Sequence, residues 1–364
     1  MRLARFRGQP LHPKRMATQI KDSAWLDWIA GLMGVGSRQT ITATLPPHRF
    51  HCLLDELPLH LIAQRQLESQ SSGQNISCQS LIVNPQCSVL HAGQVPEELQ
   101  EQPQLLENFY LNATVAWVRD PGTSALLPFW LGPRLEAIVM RLQAGEIEPA
   151  AVPADVRLLL ARAGILITPD HAARRSGEWI EVARKCKPQF QEKGYVPLRN
   201  LIHPFHVAAL RRYYRHAIRR GAIRLGDHQS SRRYIAHNES VARFFHHQLA
   251  NAVRAIVGET VKPSYVYLAS YLSGAELKKH TDREQCEFSV TLCLDYSPEP
   301  ELATPWPIRV ATPEGSVAIY QALGDGLFYR GTKVPHYRRI LGEGQTSTSI
   351  FFHYVSGDFT GPLD

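Results

Sequence analysis

The sequence predicts an α+β protein whose C-terminal half is an antiparallel barrel or double-sheet jelly roll, flanked by helices and preceded by a mixed, mainly helical N-terminal region. Three observations lead there. Between residues 263 and 355, β-branched and aromatic segments alternate at strand spacing, with turn residues between them. Earlier segments instead carry apolar residues at i, i+3, i+4 and i+7. His280, Asp282 and His336 all fall inside the strand-rich stretch, the first two at the mouth of a strand.

Composition bounds the rest. With 364 residues, 44% of them hydrophobic, the chain is long enough for about two domains, read as 1–177 and 178–364. A net charge of +7 is compatible with an anionic partner but does not establish one. Cysteines 52, 78, 87, 186, 286 and 293 show no zinc-like spacing and read as reduced, buried thiols of a cytoplasmic protein. Residues 1–15 are basic without an apolar run, so no secretory signal is read there, and Met16 is a second possible start. No stretch has the apolar length of a membrane span.

In chain order, Ser23 caps an expected helix with Trp25, Leu26, Trp28, Ile29 and Leu32 on one stripe, read as core. Residues 68–104 are polar and turn-rich, a connection between subdomains. Residues 113–118 read as a strand, 126–131 as an apolar run, and 134–143 as a helix with Leu135, Ile138, Val139 and Leu142 on one face. A second helix, 154–163, ends at Gly164 before Ile165-Leu166-Ile167. That ending is weakly similar to small winged-helix modules that bind leader peptides; the plainer reading is a subdomain buttressing the barrel. Residues 171–177 (HAARRSG) are expected to be the linker.

Residues 204–220 read as a helix with Val207, Leu210, Tyr214, Ala217 and Ile218 inward. Its other face carries Arg211, Arg212, Arg215, Arg219 and Arg220, with Arg224, Arg232 and Arg233 beyond. No base-stacking aromatics accompany these charges, so a solvated face is expected and no nucleic-acid partner. Residues 240–256 form a further amphipathic helix, with Asn238 as its expected cap and His246 and His247 as surface or packing residues.

The strands follow. Residues 265–271 alternate in strand fashion and Ser273-Gly274 ends them in a turn. Residues 287–296 alternate Phe288, Val290, Leu292 and Leu294 with smaller or polar residues, a strand with one buried face. Residues 306–310, 316–321, 326–330 and 347–355 are four more, punctuated by Pro313-Glu314-Gly315 and Gly324-Asp325-Gly326. His280 and Asp282, two apart, would share one side of a strand, and His336 would arrive from a later one. Two imidazoles and a carboxylate are the set that holds non-haem iron(II) on one face and leaves the other open. His-x-acid alone says little, since His237-Asn238-Glu239 also fits; that triplet lies at a helix start and reads as structural.

YLSGAELKKHTD, then SVTLCLDY, then GDGLFYRGTKVPHYRRIL resemble the iron(II)/2-oxoglutarate-dependent dioxygenases, specifically their prolyl-4-hydroxylase-like branch. Tyr271, Gly274, His280, Asp282, Thr291 and His336 fall on the family's positions, and the resemblance covers residues 185–364. It implies a double-stranded β-helix, Fe(II) on His280, Asp282 and His336, O2 and 2-oxoglutarate as co-substrates, and oxidation of a C–H bond in a small-molecule, amino-acid, carrier-bound or peptide substrate. The retained Asp282 favours hydroxylation or desaturation over halogenation. One departure stands out: the cation expected nine or ten residues beyond the distal His is replaced by Gln345 and Thr346. Arg338, two residues past His336, is the first substitute for the 2-oxoglutarate carboxylate, and Arg330 the second. Tyr271, Thr291, Ser347 and Ser349 are expected to line the co-substrate, with Tyr267 and Gln345 as further candidates. Two alternatives stay open: a cupin-like metal dioxygenase or isomerase without 2-oxoglutarate, and a non-enzymatic, metal-stabilised module presenting the Arg-rich helix.

Overall fold

The computed structural model describes residues 45–57 and 81–364. The expected helix around Trp25, Cys78 and the first part of the polar connection, residues 68–80, lie outside the described residues. Strand β1 (Ile82–Val83) pairs antiparallel with β5 (Leu166–Ile167), while β2 (Cys87–Leu90), β3 (Val115–Arg119) and β4 (Leu126–Trp130) form a three-stranded sheet. Helix α1 (Pro133–Gln143) buries the expected face, Leu135, Ile138, Val139 and Leu142, and α2 (Ala154–Arg162) buries Val156, Leu159 and Leu160.

The stretch 171–177, expected as a linker, is the start of α3 (His171–Lys193). Arg174 and Glu178 pair at i, i+4 there, and Arg175 reaches Asp120, so polar residues that read as loop instead form the solvent side of a helix. Gly194, at φ 74°, closes α3 in the left-handed conformation that favours glycine.

From there the chain alternates strand and helix: β6 (Tyr195–Leu198), α4 (Pro204–Arg219), β7 (Arg224–Leu225), β8 (Arg233–His237) and α5 (Ser240–Val257). The cap of α5 is Glu239, which accepts from Ala242 N, and not Asn238. Asn238, at φ 50°, instead accepts from Val266 N and so ties the helix start to the next strand. Glu239 also accepts from Tyr213 and Tyr214, which confirms the structural reading of His237-Asn238-Glu239.

The remaining strands are β9 (Val261–Tyr271), β10 (Leu277–His280), β11 (Phe288–Ser297), β12 (Ile308–Thr312), β13 (Gly315–Ile319), β14 (Gly326–Arg330), β15 (His336–Arg338) and β16 (Thr346–Ser356). They form a seven-stranded sheet, β6-β14-β11-β16-β9-β8-β7, and a four-stranded sheet, β10-β15-β12-β13, in which every ladder is antiparallel. Both faces of β11 are buried, where one was expected. Phe288, Val290, Leu292 and Leu294 pack with the helices, while Ser289, Thr291 and Cys293 point the other way. Tyr195, Leu327 and Tyr329 of the larger sheet meet Ile308, Val310 and Ile319 of the smaller one, which makes the pair a sandwich.

Residues 45–364 form one compact unit, and one apolar cluster runs from Phe50 to Tyr354. At its middle Phe50 packs against Phe109, Trp130, Tyr213 and Phe245. No described helix is long and apolar enough to cross a membrane.

Candidate metal and co-substrate site

Strand β10 ends at His280, so Asp282 lies just past it and not on it. Its position is set instead by backbone bonds: Asp282 N donates to Gly331 O at 2.9 Å, and Gly331 N to Glu287 O at 3.0 Å. His336 opens β15 and is in register with His280. The Nε2 atoms of both histidines lie 3.5 Å from Asp282 Oδ1. Ligand atoms of all three residues lie within 4.8 Å of one another.

Tautomers follow from the other ring nitrogens. His280 Nδ1 donates to Lys278 O at 2.8 Å and His336 Nδ1 to Val334 O at 3.1 Å. A carbonyl only accepts, so each ring carries a proton on Nδ1 and turns Nε2 toward Asp282. Burial would raise the Asp282 carboxyl, but the hydrogen bond with His280 and the neighbouring His336 and His353 hold it at about 2. The His280 bond to Asp282 raises that imidazole, whereas burial lowers His336. The result is an ionised carboxylate on which Nε2 of both imidazoles converges; once His280 gives up its Nε2 proton, the three form a donor set that fits a divalent transition metal and leaves further positions open.

Behind Asp282, Oδ2 accepts from Ser289 Oγ at 2.9 Å, and Ser289 Oγ is also 2.9 Å from His353 Nδ1. Burial lowers His353 to about 4, so that ring is neutral. Gly331 is required by close approach: a Cβ there would stand 2.2 Å from Cys286 O and 2.5 Å from Asp282 Oδ2. None of Gly331, Ser289 and His353 was found from sequence.

Arg338 follows His336 by two positions on β15 and is 3% exposed. Its Nη1 donates to Trp306 O at 2.7 Å, its Nη2 lies 3.4 Å from Gln321 Oε1, and its guanidinium stands 4.7 Å over the Trp306 ring. No carboxylate pairs with it among the described residues, its Nε has no partner, and burial lowers its pKa. Ser349 Oγ and Tyr296 OH are likewise buried without partners. Ser349 is in register with Cys293, and Ser347 pairs with both Tyr296 and Tyr271. Thr291 Oγ1 is 3.2 Å from Tyr329 OH, and the Tyr329 ring lies against His336.

Other expected residues go elsewhere. Arg330 is in register with Phe288, and its guanidinium stacks over Phe190 and Phe288 on the outer, helix side of the sheet, so it cannot serve the site. Gln345 folds onto its own turn, accepting from Gly342 N at 3.2 Å. Tyr267 OH donates to Asp227 at 2.6 Å. Arg233, grouped in sequence with the surface arginines, is 4% exposed; it pairs with Asp227 and donates to Tyr271 OH at 3.3 Å. On α4, Arg211 and Arg215 converge on Asp295, and Arg211 also pairs with Glu299, so that face is occupied by internal ion pairs. His246 is buried, its Nε2 bonded to His353 O at 2.6 Å.

No protein-family model matches the chain, and no curated protein matches it. Solved structures similar to it include a prolyl-4-hydroxylase from Pseudomonas putida, at 17% identity over 47% of this chain and 99% of that one, with a TM-score of 0.39. The non-haem α-ketoglutarate-dependent epimerase SnoN from nogalamycin biosynthesis matches at 12% over 48% and 83%, with a TM-score of 0.41. HygX from Streptomyces hygroscopicus, with nickel, 2-oxoglutarate and hygromycin B bound, matches at 13% over 49% and 88%, with a TM-score of 0.39. At such scores the site stands on its own geometry.

Proposed function

We propose that this protein is an iron(II)- and 2-oxoglutarate-dependent oxygenase with a jelly-roll core, and that it hydroxylates or desaturates an unactivated C–H bond of a small-molecule, amino-acid or peptide substrate. One observation carries the reading: beside the His280, Asp282 and His336 donor set, at the next inward position of β15, stands a buried guanidinium without a carboxylate partner among the described residues. A buried cation is costly unless an anion meets it. Two residues of strand span about 6.6 Å, a separation suited to a five-carbon diacid with one end at the metal and the other at Arg338.

His280, Asp282 and His336 would hold the metal, their Nδ1 bonds to Lys278 and Val334 fixing the rings. Arg338 would grip the distal carboxylate, with the free hydroxyls of Ser349 and Tyr296 beside it and Thr291 and Tyr271 along the way. Bound there, iron(II) would supply dioxygen activation coupled to oxidation of 2-oxoglutarate to succinate and carbon dioxide. The protein's part is to orient, to keep one metal face open and to exclude water, for which the buried walls of Tyr271, Trp306 and Phe351 are suited. The unpaired state of Arg338 favours this reading over a cupin-like enzyme without 2-oxoglutarate. The ion pairs of Arg211 and Arg215 weigh against a module that presents that helix to a partner.

The test is succinate production by purified protein with iron(II), 2-oxoglutarate and oxygen, expected to vanish in Asp282→Ala and Arg338→Ala. Iron(II) binding that is indifferent to substitution of His280, Asp282 and His336 overturns the proposal.

A further inference from the structure

We infer that Ser289 and His353 are positioning residues that dictate how Asp282 presents itself to the metal, an inference that rests on the metal reading above. An ionised carboxylate accepts and never donates, so the single Ser289 proton, 2.9 Å from Oδ2, belongs to Asp282. Ser289 Oγ then accepts from His353, whose Nδ1 stands 2.9 Å away and must carry the ring proton. The opposite arrangement, with Ser289 donating to His353, would strip the charged oxygen of its donor and give up the stronger charge-assisted bond. Cys286 O, at 3.4 Å, is the weaker alternative acceptor for the same hydroxyl.

The brace has a chemical consequence. Oδ2 is held on Ser289 and Oδ1 alone faces the two imidazoles, so the carboxylate offers one oxygen to the metal and a second coordination position stays free for co-substrates. Strand register makes the brace stiff, because Ser289 and His353 are direct cross-strand partners on β11 and β16, both within 5% exposure. Without the hydroxyl, the carboxylate is free to rotate and bind through both oxygens.

The experiment is cobalt(II) titration of the full chain, followed by its visible d–d bands, beside thermal melts without metal. Ser289→Ala and His353→Leu are expected to weaken metal binding by about 10- to 100-fold, and the bands should shift as coordination changes. His353→Asn, whose side-chain amide can donate from near the Nδ1 position, should restore most of the affinity. The double variant Ser289→Ala with His353→Leu should lose no more than Ser289→Ala alone, since His353 acts only through that hydroxyl. Variants that melt like the parent yet bind cobalt as tightly, with unchanged bands, overturn the brace while His280→Ala still abolishes binding. If His280→Ala also binds like the parent, the metal reading falls and takes the brace with it.

Discussion

Replacing Arg338 with Met separates two roles that a buried cation can play. In the protein as it stands, the guanidinium has one good hydrogen bond, 2.7 Å to Trp306 O, a weak one to Gln321, and its stack on Trp306. Against those, worth about 2–4 kcal/mol together, stands the several kcal/mol it costs to bury a charge without a counterion. Methionine fills similar volume with no charge, so the melting temperature without ligand should hold or rise. Binding of 2-oxoglutarate should behave oppositely. Removing one partner of a buried, hydrogen-bonded charge pair costs about 2–5 kcal/mol, or roughly 30- to 4,000-fold in Kd. Titration calorimetry with 2-oxoglutarate on manganese-loaded protein, kept free of oxygen, reads this directly. Arg338→Lys should fall between, keeping the charge but losing the fork. If Arg338→Met binds 2-oxoglutarate like the parent, the assignment of the carboxylate site is refuted. If it instead unfolds, Arg338 is a structural residue whose hydrogen bonds outweigh its desolvation.

Four further outcomes can be checked. Gly331→Ala should destabilise the fold by about 1–3 kcal/mol and weaken metal binding, because its Cβ would collide with Cys286 O and Asp282 Oδ2; an unchanged melt would show that the loop gives way. Asp295→Ala should cost about 1–2 kcal/mol, measured by urea denaturation, because Arg211 keeps Glu299 and Arg215 is half exposed when their shared carboxylate is lost. Acid should weaken the fold through His206, which burial holds at about 4 against an ordinary 6.5. The unfolded chain binds more protons between those values, so that contribution is whole above pH 6.5 and is lost as pH falls toward 4, roughly 2 kcal/mol by pH 5. His206→Gln should flatten the pH dependence of the denaturation midpoint. Finally, Phe50→Ala should cost about 3–5 kcal/mol, as the ring on which four other aromatics pack is lost.

The strands were legible because alternation is local: residues 287–296 announce β11 without reference to anything else, although only the structure shows that its second face is buried as well. The His280, Asp282 and His336 set was legible as a spacing between strand-like segments. Arg338 was reachable because i and i+2 share a strand face. What could not be read depends on which strand lies beside which. Ser289 reaches His353 only through the β11–β16 register, and Gly331 matters only because Asp282 and Cys286 fold over it. Arg330 was misplaced because its own strand phase, set by Phe288 across the ladder, was not knowable beforehand. The linker reading failed at residues 171–177 because solvent-facing helix turns and loops share a polar composition.

The aromatic knot around Phe50 bears on how this protein can be taken apart. Phe50, from the first half of the sequence, packs against Phe245 and Tyr213 of the helices that back the large sheet, and Phe109 and Trp117 pack against Phe244. Those same helices support, from behind, the strands whose inner faces carry Ser289, Thr291 and Ser349. A fragment beginning near residue 178 would therefore expose a greasy flank several rings wide and should aggregate when expressed alone. Grafting the C-terminal half onto another N-terminal segment would require transplanting that flank as well, so the two halves of the chain are expected to have changed together and not to have been shuffled as interchangeable parts.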